Sequence, residues 1–308
     1  MESFNFIDIE DKKYPAVILG GDRFLGWFGT KEELKDKITT ESYIVSIMNK
    51  SYELGVRGFD MSVKAEVINS FKTIKKKYPE VVGIGNPNWR CGVNLNYKPL
   101  MKFPNKIVST MYQDYFSDKI KGDISKLPYP STKWFAKVDE KPLTKKEIYS
   151  INIDLDIFQE KLDVLKEVCD FCLIGPNPID CLIIMDRLDI IEKMIKRVRE
   201  NDMIPISLAH LTSLSIPKLR KIDFALYWTW INKEFQFSNE NDAFRAIQDA
   251  KKPTTAMKVF AGGRLANDIE GCIRYLKKRG INSFNLGIET EQQAQETFSI
   301  VHKSDSFI

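Results

Sequence analysis

Long apolar runs are missing from this sequence. No stretch of the 308 residues approaches the roughly 18 to 20 consecutive apolar positions that a membrane-crossing helix requires. The first residues, Met1 to Lys13, are polar and acidic, unlike a secretory signal. A soluble protein in the cytoplasm with no membrane partner is therefore expected. Cysteine is scarce and odd in number. Cys91, Cys169, Cys172, Cys181 and Cys272 are scattered through apparent strands and helices, which is not the spacing of a disulfide framework, so reduced thiols are expected. Cys169 and Cys172 have CxxC spacing, but no second CxxC or nearby histidine completes a zinc or iron–sulfur site. An excess of one charge sign is missing too. Forty-six Lys and Arg stand against forty-two Asp and Glu, and the basic residues are dispersed over helix faces, which gives little support for a nucleic-acid partner. Histidine occurs only as His210 and His302.

What is present is enough apolar material for one large core, with 43% hydrophobic and 29% charged residues. From about Pro15 onward, short β-rich runs alternate with segments of helical periodicity, the pattern of repeated βα units feeding a parallel sheet. Strands are expected at Ala16 to Gly20, Gly58 to Asp60, Val81 to Gly85, Asp170 to Gly175, Ile204 to Leu208, Phe224 to Trp228, Met257 to Ala261 and Phe284 to Ile288. Between them lie helical patterns such as Glu41 to Leu54, and the spacing of Leu188, Ile191, Ile195 and Val198. Eight units predict a single α/β domain over residues 1–308, a (β/α)8 TIM barrel with its active face at the C-terminal ends of the strands. Ile107 to Met111 is a ninth strand candidate. The Lys- and Pro-rich stretch around 112–150 is weakly patterned and carries Tyr112, Tyr115, Phe116, Tyr129, Trp134 and Phe135. It is expected to be an inserted cap or long loop over the mouth.

Three stretches of the C-terminal half, Ile204 to His210, Met257-Lys-Val-Phe-Ala-Gly-Gly-Arg-Leu265 and Gly287-Ile-Glu-Thr-Glu-Gln292, occur in an order that resembles the aldo-keto reductase barrel superfamily. The opening half agrees through Ile18-Leu-Gly-Gly21, Leu54-Gly55 and Gly58-Phe-Asp60, which looks like that family's second strand ending in an aspartate. The resemblance implies a barrel and a nicotinamide cofactor whose phosphate end lies near Gly262. It also implies a catalytic tyrosine soon after the aspartate, a lysine ending the third strand and usually a histidine ending the fourth. Here Met61 to Glu66 contain no tyrosine, the third strand runs into Asn86-Pro-Asn88, and the fourth ends in Gly175-Pro176. Only Asp60 matches. Hydride transfer to a carbonyl needs a positioned proton donor, so NADP is not expected to support ordinary reductase turnover.

Other chemistry is open to the residues that remain. Asp60 ends its strand, Asp22 lies just past the first strand, and Glu66 sits on the loop or first helical turn beyond Asp60. The three carboxylates are expected to hold Mn²⁺ or Mg²⁺ at one side of the mouth, unless Asp22 and Glu66 instead pair with Arg23 or Lys64. His210, just beyond the strand that starts at Ile204, is a metal ligand or acid–base candidate, against the plainer reading of a residue satisfied at a helix entry. Gly262, Gly263 and Arg264, between a strand and a helix, are candidates for phosphate binding through free N–H groups and a guanidinium, against a plain tight turn. Lys258, placed within the preceding strand, would become a Schiff-base amine if it faced a dry interior. Asn86, Asn88 and Trp89, with Tyr227, Trp228 and Trp230, are expected to line the mouth and bind substrate, core packing being the alternative.

The leading expectation is a metal-dependent hydrolase of a phosphorylated small molecule, with Asp60 and His210 catalytic. Two alternatives stand beside it. One is a Lys258 Schiff-base lyase or isomerase on a sugar phosphate. The other is an inactive reductase-like barrel that binds a nucleotide or small ligand.

Overall fold

The computed structural model describes residues 1–26, 35–87, 91–114, 141–175, 177–234 and 239–305. Strands β1 (Phe6–Ile9) and β2 (Lys12–Pro15) form an antiparallel hairpin, followed directly by β3 (Val17–Gly20). Then come β4 (Gly58–Ser62) and β5 (Val82–Asn86), the short β6 (Val93–Leu95), β7 (Lys98–Pro99) and β8 (Asn152–Ile153), and the longer β9 (Cys169–Ile174), β10 (Ile204–Ala209), β11 (Leu226–Trp230), β12 (Thr254–Met257) and β13 (Ser283–Gly287). The parallel strands β3, β4, β5, β9, β10, β11, β12 and β13 close into one eight-stranded barrel. This is the (β/α)8 TIM barrel that the alternation of patterns predicts, and all eight expected strand regions contribute to it.

Which side chains face the interior follows from one observation and the ladder. The Thr229 hydroxyl lies 2.6 Å from that of Thr212, on the outer helix Thr212–Leu219. Thr229 therefore points outward, and its neighbours Trp228 and Trp230 point inward, because successive strand residues alternate sides. In-register partners share a side. The inward set then runs from Trp228 to Thr255, Ser283, Asn285, Ile18, Gly58, Asp60, Ile84, Phe171, Ile204 and Leu208, and back to Trp228. The phase closes without conflict because a bulge between Gly83 and Ile84 skips one residue of β9.

The floor of the barrel is made by the hairpin. The fully buried Tyr14 hydroxyl accepts from the Trp228 indole at 2.5 Å and lies 2.8 Å from the Thr255 hydroxyl, which in turn meets Ser283 at 2.8 Å. Burial pushes the Tyr14 hydroxyl well above its ordinary range, so it stays a neutral partner of this network. Above and around it, Phe171, Ile84, Ile206 and Leu208 fill the interior. At about 25 cal/mol per Å² of apolar surface removed from water, each such side chain contributes roughly 1.5 to 3 kcal/mol.

Three expectations are corrected. Ile107 to Met111 is not a strand but part of the helix Pro104–Asp114, with Ile107, Val108 and Met111 on its buried side. This apolar run is short enough to fit either period. The strand expected at Met257 to Ala261 is Thr254–Met257, and Lys258 and Ala261 adopt positive φ of 56° and 49°, which ends the extended run. The strand expected at Phe224 to Trp228 is shifted to Leu226–Trp230. Of the segment around 112–150, residues 115–140 lie outside the described residues, as do Tyr115, Phe116, Tyr129, Trp134 and Phe135. Its end is the helix Lys145–Ser150, opened by a capping box in which Thr144 and Glu147 satisfy each other's backbone N–H groups. Before and after this segment, β6, β7 and β8 form a three-stranded antiparallel sheet that the sequence reading did not anticipate.

Candidate active site

Asp60 does not end its strand as expected but is the third of the five residues of β4, two before its C-terminal end, in the inward phase and 7% exposed. Its Oδ2 accepts from the backbone N–H of Gly21 and from the Asn285 amide, both at 3.2 Å. The first bond depends on glycine. A Cβ at residue 21 would lie 2.4 Å from the Asp60 carbonyl oxygen, so only a bare backbone approaches this closely. Oδ1 receives no hydrogen bond from the described residues. Burial, reinforced by the nearby negative charge of Asp22, pushes the Asp60 carboxyl from 3.8 up to about 7, while the two donors and the Lys258 charge pull it back only in part. A carboxyl with this midpoint exchanges protons at neutral pH.

Lys258 lies just past β12 instead of within the strand, and its Nζ contacts Asp22 Oδ2 at 2.5 Å. The cation beside the Asp22–Asp60 pair is thus supplied by the chain itself. The Lys258 amine is engaged in an ion pair and not presented bare to a dry interior, as the Schiff-base expectation required. The expected metal trio does not assemble. Glu66 turns to Lys64 at 3.8 Å, and among the described residues no group of three His, Cys, Asp or Glu side chains is placed to hold a metal ion. The pairing partner of Asp22 is Lys258 and not Arg23, whose guanidinium lies 2.6 Å from the buried Glu289.

His210 directly follows the last residue of β10. Its ring packs against that of Trp230, with centroids 5.6 Å apart. Nδ1 lies 2.9 Å from Oδ2 of Asp180, on the helix Asn177–Ile184. The Asp180 carboxylate, buried to 4% exposure, also accepts from the backbone N–H groups of His210 and Leu211 and from the Ser215 hydroxyl at 2.8 Å. Asp180 is the residue sequence reading missed. It lies on an apolar helix thirty positions before His210, and no spacing rule links the two.

The loop after Lys258 differs from the expected phosphate cradle. Gly262 and Gly263 have positive φ of 70° and 102°, as a tight turn demands. The N–H groups of Ala261, Gly263, Leu265 and Ala266 bond to carbonyls within the loop. Arg264 forks onto the Glu234 carboxylate. The N-terminus of the next helix, Ile269–Lys277, is capped by Asp268, itself paired with Lys233. As arranged, the cations Arg264 and Lys233 are already paired with carboxylates and four of the loop's N–H groups are used within it, which leaves the Gly262 N–H outside this internal set. Asn86 ends β5 in the inward phase, at the mouth; Asn88 and Trp89 lie outside the described residues. Trp228 and Trp230 face inward as expected, whereas Tyr227 faces the outer layer.

Solved structures similar to this chain include aldo-keto reductases. A putative aldo-keto reductase from Pseudomonas aeruginosa superposes with a TM-score of 0.57 at 10% identity, covering 98% of this chain and 97% of its own. An aspartate variant of Gox0644 in complex with NADPH gives 0.55 at 11% identity over 99% of this chain and 92% of its own. An aldo-keto reductase from Bacillus halodurans in its holo form gives 0.51 at 12% identity over 97% and 91%. No family model matches the sequence, and no curated protein matches it. At these identities the likeness speaks for architecture: the chain folds as an aldo-keto reductase-like (β/α)8 barrel.

Proposed function

We propose that this protein is an enzyme of small carbonyl compounds that works by proton transfer at the barrel mouth, with Asp60 as the acid–base group. The observation that carries this reading is the inward, buried Asp60 carboxyl with one oxygen that receives no donor from the described residues and a midpoint of about 7. A protonated carboxyl donates to a carbonyl oxygen as negative charge develops there, and the nearby Lys258 ammonium favours the same charge. Asn285 fixes the carboxyl's orientation, and Ser62 and Asn86, inward at the ends of β4 and β5, supply hydrogen-bonding groups for a polar substrate.

This reading is favoured over hydrolysis of a phosphoric ester with Mn²⁺ or Mg²⁺, because Lys258 already compensates Asp22, Arg264 is paired with Glu234, and among the described residues no three ligating side chains gather. The test is deuterium uptake. Wild type and Asp60→Asn are incubated in D2O with glyceraldehyde, dihydroxyacetone and hydroxyacetone, with and without NADPH, and followed by proton NMR. The expected result is exchange at the carbon beside the carbonyl in wild type without NADPH, reduced at least 100-fold in the variant, in keeping with the usual worth of a positioned acid–base group. NADPH oxidation without exchange overturns the reading in favour of a reductase, and phosphate release from glyceraldehyde 3-phosphate only with Mn²⁺ overturns it in favour of the hydrolase.

A further inference from the structure

His210 has the features of a working base that no structural role requires. Its Nδ1 is held 2.9 Å from Asp180, whose carboxylate is a pure acceptor, so the ring proton resides on Nδ1 and the lone pair on Nε2. That tautomer is fixed from three sides. The same carboxylate takes the backbone N–H of His210 itself, the N–H of Leu211 and the hydroxyl of Ser215, which locks its position. Among the described residues Nε2 has no hydrogen-bond partner, while the ring lies against inward-facing Trp230. Ser215 is fully buried and donates to the carboxylate instead of to the imidazole, so the group is not a nucleophile triad. The other histidine is the contrast. His302 stacks on Phe4 at 3.8 Å between centroids, and its Nε2 is engaged by the Leu54 carbonyl at 3.0 Å.

The barrel order puts β10 three strands from β4. For eight strands about 4.8 Å apart and tilted about 36°, the backbones across such an arc are separated by roughly 14 Å. Asp60 lies in the middle of β4 and His210 just past the end of β10, so a substrate reaching both would lie along the barrel axis as well as across it. We propose that His210, positioned by Asp180, is a second proton-transfer group facing Asp60, and that together they isomerise a 2-hydroxy carbonyl compound without a cofactor. The proposal rests on the reading of Asp60 above. His210 Nε2 takes the proton from the carbon bearing the hydroxyl. The C–H electron pair becomes the C=C bond of an enediol, the carbonyl π pair moves to oxygen, and Asp60 delivers its proton there. The imidazolium then returns its proton to the former carbonyl carbon, while Asp60 takes one from the other hydroxyl. Both groups end as they began, and no electrons leave the substrate.

With two histidines in the chain, the test is spectroscopically simple. Long-range proton–nitrogen NMR on protein labelled with ¹⁵N-histidine is expected to show His210 as the Nδ1–H tautomer at neutral pH. That preference should weaken in Asp180→Asn, with His302 unchanged; should Asp180→Asn fail to fold, the wild-type tautomer and the exchange measured in His210→Gln decide. In the deuterium assay, His210→Gln is expected to lose exchange at least 100-fold with an unchanged melting temperature, whereas a merely structural histidine leaves exchange intact. Exchange retained in His210→Gln but lost in Asp60→Asn overturns the dyad and leaves the Asp60 reading standing. A proton on Nε2 at neutral pH overturns the dyad as well, and absence of exchange in wild type sinks both readings.

Discussion

Two buried carboxylates at the same end of the barrel receive opposite treatment. Asp180 collects four donors, namely two backbone N–H groups, a hydroxyl and an imidazole. Asp60 receives two, both on one oxygen, and faces a second carboxylate. A carboxylate saturated with donors is an anchor that holds its neighbours in place. One with too few is a group whose charge is costly, and whose proton is therefore available. The fold uses the first to hold His210 and leaves the second with one oxygen that no described residue donates to.

The sharpest way to break this comparison is to remove the anchor. Asp180→Ala leaves the buried N–H groups of His210 and Leu211 and the Ser215 hydroxyl without an acceptor, and removing one partner of a buried network costs far more than the network's net worth. A loss of roughly 3 to 5 kcal/mol in urea unfolding is expected. A loss below about 1 kcal/mol would mean that the loop after β10 re-satisfies itself and that Asp180 anchors nothing.

Asp60 should behave in the opposite sense. Its folded midpoint of about 7 lies above its ordinary value of 3.8. Below pH 4 both folded and unfolded forms are protonated and the group has no effect on stability. As pH rises towards 7, the unfolded chain gives up the proton first, so stability falls, and above pH 7 the penalty is complete. At about 1.4 kcal/mol per pH unit of difference it reaches roughly 4 kcal/mol. Asp60→Asn, which keeps an oxygen for Gly21 and Asn285, is therefore expected to be more stable than wild type at pH 8 by up to about that amount and equal to it near pH 3.5. Chemical unfolding at the two pH values measures this. A variant that is less stable than wild type at pH 8 would show that Asp60 is held for structure and not for chemistry.

These two residues also mark what a sequence yields. Asp60 was legible because a strand pattern ended on it and the direction of a barrel strand sends its end to the active face. The eight strands were legible for the same reason, as their apolar runs recur with helical segments between them. Asp180 was not, since an acidic residue among Ile179, Cys181 and Leu182 has no local signature, and its meaning arises only when β10 brings His210 alongside. Lys258 was misplaced because Met257-Lys-Val-Phe-Ala261 reads as a β run, while the positive φ at residues 258 and 261 that breaks it is set by packing of the turn. The pairing of Glu66 with Lys64 was legible as one of two readings, and the local partner prevailed.

A milder cut at the anchor refines its strength. Ser215→Ala removes one of the donors to Asp180 and leaves the other three in place. Because the hydroxyl is buried together with its partner, a loss of about 1 to 2 kcal/mol in stability is expected, with the His210 tautomer preserved. If the tautomer is lost instead, Ser215 and not the backbone is what orients the carboxylate.

The finest distinction lies in the charges beside Asp60. Asp22 raises its midpoint and Lys258 lowers it, and of the two the influence of Asp22 is the greater. The two residues also touch each other, so neither variant acts alone. Asp22→Asn removes the repelling charge and frees Lys258 to act on Asp60, both of which bring the midpoint down from about 7. Lys258→Met removes the attracting charge but releases Asp22, which is 39% exposed at the side chain, to turn toward solvent, so the two consequences oppose and the upward change is small. Carboxyl-carbon NMR titration of the two variants is expected to give shifts of opposite sign, the larger one downward in Asp22→Asn. Equal and opposite shifts would mean that the Asp22 side chain cannot turn, and that the ion pair is a rigid part of the mouth and not a charge adjustable around Asp60.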